Sequence, residues 1–348
     1  MDKILTLCIA TYNMEEYLDR CLSSITAADV PTSFEILVVN DGSKDDSLKI
    51  AKYYQAKRPD IIRIIDKENG NYGSCVNKAI EFATGKYFRM LDADDYFDSV
   101  ALLSFFNELN VIDADLIVTN FTRIYKDKKN VCQLSMNSNI KYNTLYSIDS
   151  LDISKLENIN ILCMHSMTYK LDVIKKTGLK LLEGISYTDT EYCYYPIYKS
   201  KSILFMDINL YQYDMSRDGQ TISVESLKKS AHHIEMIAER MIINANVHTT
   251  VPSIALYFLQ VIVKFYYESV LIHCPYVNRI NYELSLFDKK LLNLNVKLYK
   301  YLQSLKVYHL PYVLFWRMSN RCYFSKFINS KYIVVFSFLF KMLKRGNK

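Results

Sequence analysis

Tyr87-Phe88-Arg89-Met90-Leu91-Asp92-Ala93-Asp94-Asp95 is the stretch on which the fold turns. Its first half is an apolar run of strand length, and it breaks off on three carboxylates within four residues. Similar apolar runs, rich in β-branched residues, fall at 4–10, 34–39, 61–65 and 115–120. Helical periodicity fills the gaps at 14–26, 45–56, 72–83 and 99–110. Strand and helix in alternation, joined by short loops, predict an α/β fold with a mostly parallel, Rossmann-like sheet flanked by helices. Ligands of such sheets bind beyond the carboxyl ends of the strands. Function should therefore sit in the residues just after each run.

Those residues are polar or acidic in three cases. Thr11-Tyr12-Asn13, with Glu15 beyond, follows the first run, Asp41-Gly42-Ser43 the second, and Asp92–Asp95 the run quoted above. Carboxylates this close repel one another and call for a shifted pKa or a cation. Hard oxygen donors at this spacing suit Mg2+ or Mn2+, which in turn hold a substrate phosphate. The plainer reading is an acidic helix start capped by Asp94 or Asp95. Asp41-Gly42-Ser43 is likewise either a turn with Ser43 as N-cap or a carboxylate accepting from a base or ribose. The loop after the first strand contains no glycine, so a dinucleotide-binding enzyme is improbable, and no Walker phosphate loop is present. The eight Cys fall in no zinc-ligand spacing.

Five blocks, read in order, resemble glycosyltransferase family 2, the nucleotide-sugar transferases of GT-A fold. They are Ile9-Ala10-Thr11-Tyr12-Asn13, Val38-Val39-Asn40-Asp41-Gly42-Ser43-Lys44-Asp45, Glu68-Asn69-Gly70-Asn71-Tyr72-Gly73, Ala83-Thr84-Gly85-Lys86-Tyr87 and Leu91-Asp92-Ala93-Asp94-Asp95. Tyr187-Thr188-Asp189-Thr190-Glu191 and Asp218-Gly219-Gln220-Thr221-Ile222-Ser223 look like late blocks of the same enzymes. The resemblance, over residues 3 to about 224, implies transfer of a sugar from a nucleoside diphosphate, UDP first among them, usually with inversion. It implies Mn2+ or Mg2+ on Asp94 and Asp92, with Asp95 the rival to Asp94. Thr11, Tyr12, Asn13, Glu15 and Asp41 are the implied donor-binding residues, joined by Asn69, Gly73 and Asn77 on the next crevice loop and by Asp92. Asp189 matches the acid that deprotonates the acceptor, although Thr188 precedes it where the family frequently has Glu. Glu191 is its rival; on one helix the two point about 200° apart, so only one can face the sugar. A charged first helical turn would account for both acids without catalysis. Two other functions stay open: a catalytically silent nucleotide-sugar-binding protein, and a nucleotidyltransferase, which would be expected to carry a glycine- and Arg/Lys-rich first loop.

Beyond residue 125 the chain reads as a polar loop to 160, then a strand at 165–170 and a helix at 188–199. His165, alone on an apolar strand, reads as a buried hydrogen-bonded residue and falls outside the site. Arg217 and Gln220 are either diphosphate or acceptor contacts or plain loop residues. The tyrosines at 192, 194, 195, 198, 211 and 213 read mostly as core residues with a wet hydroxyl. From about 225 the pattern is helical, which divides the chain into a GT-A domain, 1–224, and a helical C-terminal extension, 225–348.

Charge divides the same way. Of 43 Lys and Arg, thirteen follow Asp288, and none of the 37 acids does. Nine nearly all-apolar residues at 332–340 lie between these cations. As a helix they are too short for the roughly 30 Å bilayer core but suited to its surface. The Phe, Leu and Val runs favour an anionic lipid surface over nucleic acid as partner. With no secretion signal and no run of about eighteen apolar residues, the expected location is cytoplasmic, peripheral on the inner face of the cell membrane. A glycan or lipid-linked acceptor fits that location.

Overall fold

The computed structural model describes residues 2–28, 30–135, 138–216, 224–273, 278–307 and 311–321. They fall into two compact units, Met1–Asp218 with Pro252–Leu256, and Gly219–Val251 with Tyr257–Lys348.

The first unit is built on a mixed ten-stranded sheet. β1 (Leu5–Thr11), β2 (Phe34–Asn40), β3 (Ile62–Asp66) and β4 (Tyr87–Asp92) alternate with α1 (Leu18–Thr26), α2 (Ser47–Lys57) and α3 (Asn71–Phe82). A two-residue β5 (Tyr96–Phe97), α4 (Ser99–Leu109) and β6 (Leu116–Ile124) follow. The segment read as loop carries two short strands, β7 (Lys129–Cys132) and β8 (Leu145–Ser147), and two 3-10 turns. β9 (Met167–Lys170), α5 (Leu171–Lys176), α6 (Asp189–Tyr194) and β10 (Ser202–Asp214) complete the unit. The helix expected at 188–199 gives way to a 3-10 turn at Tyr195–Tyr198, where Pro196 enters.

The strand order is β3-β2-β1-β4-β9-β6-β10-β5. β9 is antiparallel to both β4 and β6, and β10 is parallel to β6, so the six principal strands share one direction, while β9 between them and the short β5, β7 and β8 run against it. β1 and β2 are buried almost throughout, as expected of parallel strands covered on both faces. Leu5, Leu7 and Ile9 face a core shared with α1, α2 and α4. α3, whose buried residues lie outside that cluster, packs on β1 and β2. The Ala83-Thr84-Gly85 block has a structural basis. Thr84 donates to the buried Glu35 carboxylate through N–H and hydroxyl, both at 3.0 Å. A Cβ on Gly85 would stand 2.5 Å from the Thr6 nitrogen.

In the second unit the regular elements among the described residues are helices: α7 (Val224–Val247), α8 (Ser253–Glu268, continued by a π-helical turn, Ser269–His273), α9 (Asn278–Leu294), α10 (Val296–Ser304) and α11 (Tyr312–Met318). Its aromatic core groups Tyr266, Tyr267, Phe287 and Trp316. Beside it the fully buried Asp288 accepts from Tyr267 Oη at 2.5 Å, Arg317 Nη2 at 2.6 Å and Arg321 Nη2 at 2.9 Å. The helix Ser253–His273 has the length and hydropathy to cross a membrane, yet 61% of that window is buried in the protein. Burial of that extent is the mark of a core helix.

Candidate active site

The β1 and β2 ends are tied together by reciprocal bonds. Asn13, held at φ 53°, accepts from Lys44 N–H at 2.8 Å, and its own N–H donates to Ser43 Oγ at 3.1 Å. Glu15 accepts from Asp46 N–H at 2.8 Å while its N–H donates to Asp45 at 3.0 Å. Asn13 and Glu15 thus shape the two loops, and Ser43 works as a cross-loop acceptor rather than as the α2 N-cap, which is Asp46. Tyr12 lies at the surface, 45% exposed.

Asp41, at the end of β2, is nearly buried and ion-paired to Lys67; it also accepts from Gly70 N–H at 2.9 Å. Asn69 closes the same junction by donating to the Asp41 carbonyl at 3.0 Å. A cleft of about 590 Å3 opens here, lined by Tyr12, Gly42, Asp66, Lys67, Glu68 and Asn69 among others. That volume is in the range of sites for small organic ligands.

Two other expected donor residues have different surroundings. Asn77 pairs with the Leu181 backbone in both directions, at 2.8 and 2.9 Å, and donates to Glu183. Gly73 packs so closely on the same segment that a Cβ would overlap the Leu182 carbonyl oxygen. Both residues therefore hold the 181–184 segment that leads to α6. Thr11 is buried, its carbonyl accepting from Asp41 N–H at 2.8 Å.

The acidic run is not a helix cap. The α4 N-cap is Asp98, whose carboxylate accepts from Val100 and Ala101 N–H. Asp92 accepts from Tyr72 Oη at 2.8 Å. Asp95 is fully buried, with Tyr211 Oη donating to one oxygen at 2.6 Å and Asp214 N–H to the other at 2.8 Å. Burial, then the charges of Asp94 and Asp92, push its carboxyl well above the ordinary range. Asp94 is half-buried, and its carbonyl accepts from Arg20 Nη2 at 2.6 Å while Nη1 of the same guanidinium pairs with Asp214 at 2.7 Å.

Asp189 opens α6, and burial raises its carboxyl above the ordinary value. Glu191 is fully buried and accepts from Leu182 N–H at 2.9 Å, so its carboxylate braces the backbone. Tyr72, already bonded to Asp92, has its hydroxyl pKa raised by burial and by the charges of Asp92 and Asp189. Tyr213 is raised by burial and then by Asp95, Asp92, Asp94 and Asp189 together. Both tyrosines thus feel the charge of the acid cluster and of Asp189.

His165, read from sequence as lying outside the site, stands within it. Its donor atom and those of Asp92 and Asp95 all lie within 4.8 Å of one another. Burial, with Arg123 and Arg89 nearby, lowers its pKa to about 3 and keeps the ring neutral. Tyr211 and Tyr213, read from sequence mostly as core, also stand here, as do Asp214 and Arg89, which sequence reasoning did not single out. Arg217 and Gln220, the block at 218–223 and the 332–340 segment lie outside the described residues.

The fold and the acidic strand end define an α/β enzyme with its site at the carboxyl ends of the strands, and comparison with known proteins gives the family. Residues 6–178 match the family model described as glycosyl transferase family 2, and the chain belongs to that family. An uncharacterized glycosyltransferase of Mycoplasma pneumoniae, the MG060 homolog, is 26% identical over 249 residues, 69% of this chain and 79% of that one. Four other curated relatives are matched over 32–60% of their length. The S. aureus TarS 1–349 structure with UDP-GlcNAc superposes with TM-score 0.62 at 17% identity, covering 91% of this chain and 88% of that one. The Pyrobaculum calidifontis mannosyltransferase PcManGT, in complex with GDP-Man and Mn2+, gives 0.50 at 12% identity, covering 84% and 81%. At these identities the two structures speak for the GT-A fold.

Proposed function

We propose that the protein is an inverting, metal-dependent glycosyltransferase that moves a hexosyl or N-acetylhexosaminyl group from a nucleoside-diphosphate donor, foremost a UDP-sugar. The acceptor in this reading is a glycan or lipid-linked intermediate of surface polysaccharide synthesis. The observation that carries it is the acidic strand end, where Asp92 accepts from Tyr72 Oη, with the charge of a half-buried Asp189 of raised basicity acting on the same tyrosine.

Asp92 and Asp94 would hold Mn2+ or Mg2+, and the oxygen-rich donor set suits either ion. When bound, the divalent cation stabilises the negative charge gathering on the departing diphosphate. The chain's own residues do the rest. Tyr12, Lys67 and Asn69 border the cleft that takes the nucleoside, with Asp41 pairing Lys67 from behind. Asp189 takes the proton of the acceptor hydroxyl, and its raised pKa makes it a stronger base than an ordinary aspartate. The Asn77 and Gly73 contacts hold the segment that aims α6.

The test is a thermal-shift panel of UDP-, GDP-, dTDP- and CMP-sugars with and without Mn2+. A ligand that binds only the native state adds about 2.7 kcal/mol at a hundredfold excess over Kd. The expected result is stabilisation by one class of donor, enhanced by Mn2+, with slow donor hydrolysis that disappears in Asp94→Ala. Binding without hydrolysis or transfer would point instead to a silent binding protein.

A further inference from the structure

We propose that His165 is a nitrogen ligand of the divalent cation, entering the Asp92–Asp95 cluster from the 3-10 turn, Met164–Ser166, that leads into β9. The proposal rests on the metal-dependent reading above.

Strand direction is the first argument. β9 runs against its neighbours, so its beginning lies at the edge where β4 ends. The β4–β9 register pairs Arg89 with Thr168 and Phe88 with Tyr169. His165 lies on the 3-10 turn Met164–Ser166 that leads into β9 at this edge. The donor atoms of His165, Asp92 and Asp95 do lie within 4.8 Å of one another. Octahedral ligands about 2.1 Å from an ion stand about 3 Å apart in cis and about 4.2 Å in trans, so donors within 4.8 Å of one another need only a small closure to hold one cation.

The second argument is that each donor is held from behind. Asp92 is fixed by Tyr72 Oη, and Asp95 by Tyr211 Oη and Asp214 N–H. The His165 ring stacks on Tyr213 at 4.1 Å between centroids and on Phe121 at 5.5 Å, with Tyr211 edge-on at 4.8 Å. Its carbonyl accepts from the buried Arg89 Nη2 at 2.5 Å. Nδ1 lies 3.5 Å from Cys163 Sγ, which leaves Nε2 for the cluster. A ligating imidazole typically has its other nitrogen engaged in this way.

Pulsed EPR of the full-length chain with one equivalent of Mn2+ and UDP tests the assignment without recourse to turnover. His165 is the only histidine before residue 232, so a directly bound imidazole nitrogen has one origin in this unit. Wild-type protein should show that nitrogen coupling, and His165→Ala should lose it. His165→Ala should also weaken Mn2+ binding at least about tenfold. The loss should be smaller for Mg2+, for which nitrogen is a poorer donor. Mn2+ bound without nitrogen coupling in the wild type, or equal losses for both ions, would overturn the assignment and leave metal dependence standing. A wild-type chain that binds no Mn2+ would overturn the metal-dependent reading itself, and the assignment with it. The wild-type spectrum decides even if the alanine variant fails to fold.

Discussion

Asp189 and Glu191 sit two residues apart on one short helix, and their surroundings give them different work. Glu191 is turned inward onto the Leu182 backbone, while Asp189 is left with few partners and a raised pKa. Asp189→Asn is expected to lower kcat/KM by about 10²- to 10⁴-fold, with donor binding unchanged in a thermal-shift assay. The base works only when ionised, so the rate should fall as pH drops through its raised pKa. Rate profiles should place that acid limb above 3.8, the ordinary value for aspartate. Stability runs in the opposite sense. The folded carboxyl keeps its proton to higher pH than the unfolded chain does, so stability is lost as pH rises through that window. Asp189→Asn should therefore melt no lower than wild type at neutral pH. Gly73→Ala forces a methyl group onto the Leu182 carbonyl and should cost about 1–3 kcal/mol in urea unfolding. The carboxylates of Asp92 and Asp94 were legible because they break an apolar run. Asn13, Glu15, Asn77 and Gly73 matched the donor pattern; the first three also bond to neighbouring loops and Gly73 packs on one, a role that spacing does not reveal. His165 was illegible because its partners are about seventy residues away in sequence.

At the level of elements, the alternating first half of the chain was plain from its two periodicities, and β1 to β4 with α1 to α4 lie close to their expected places. β10 was not seen. It is a thirteen-residue strand with exposed Asp207 and Asn209 in its middle, and its register with β6 shifts there. A strand that bulges loses the strict alternation by which strands are recognised. Yet β10 supplies Tyr211, Tyr213 and Asp214 to the site. Among the helices, α9 and α11 are pinned by Asp288 between Arg317 and Arg321. Two of the thirteen late cations are thus engaged inside the protein. Asp288→Ala should lower unfolding free energy by about 3–5 kcal/mol, because it strands two guanidinium groups. A denaturant midpoint measured against wild type checks this.

On the scale of the whole molecule, a catalytic unit is followed by a helical one whose sequence ends in Lys and Arg among apolar residues. We propose that this end binds the anionic cytoplasmic face of the membrane, each cation near the surface contributing about 1 kcal/mol. Deleting residues 326–348 should move the protein from the membrane pellet to the soluble fraction. High salt should have a similar effect on the intact chain. An unchanged distribution in both would refute the surface-binding role.

The reversed β9 has a consequence for how the chain is made. β1 to β4 complete a local parallel core within the first 92 residues, but the rest of the sheet beyond β4 comes from β9 at 167–170, β6 at 116–124 and β10 at 202–214, in that order. A nascent chain therefore displays an unpaired β4 edge beside three clustered carboxylates until β9 emerges at residues 167–170. Asp95 has neither Tyr211 nor Asp214 to meet it until β10 emerges. The catalytic edge is the last part of the sheet to close, so shortage of chaperones during synthesis should harm this edge before it harms the nucleoside side.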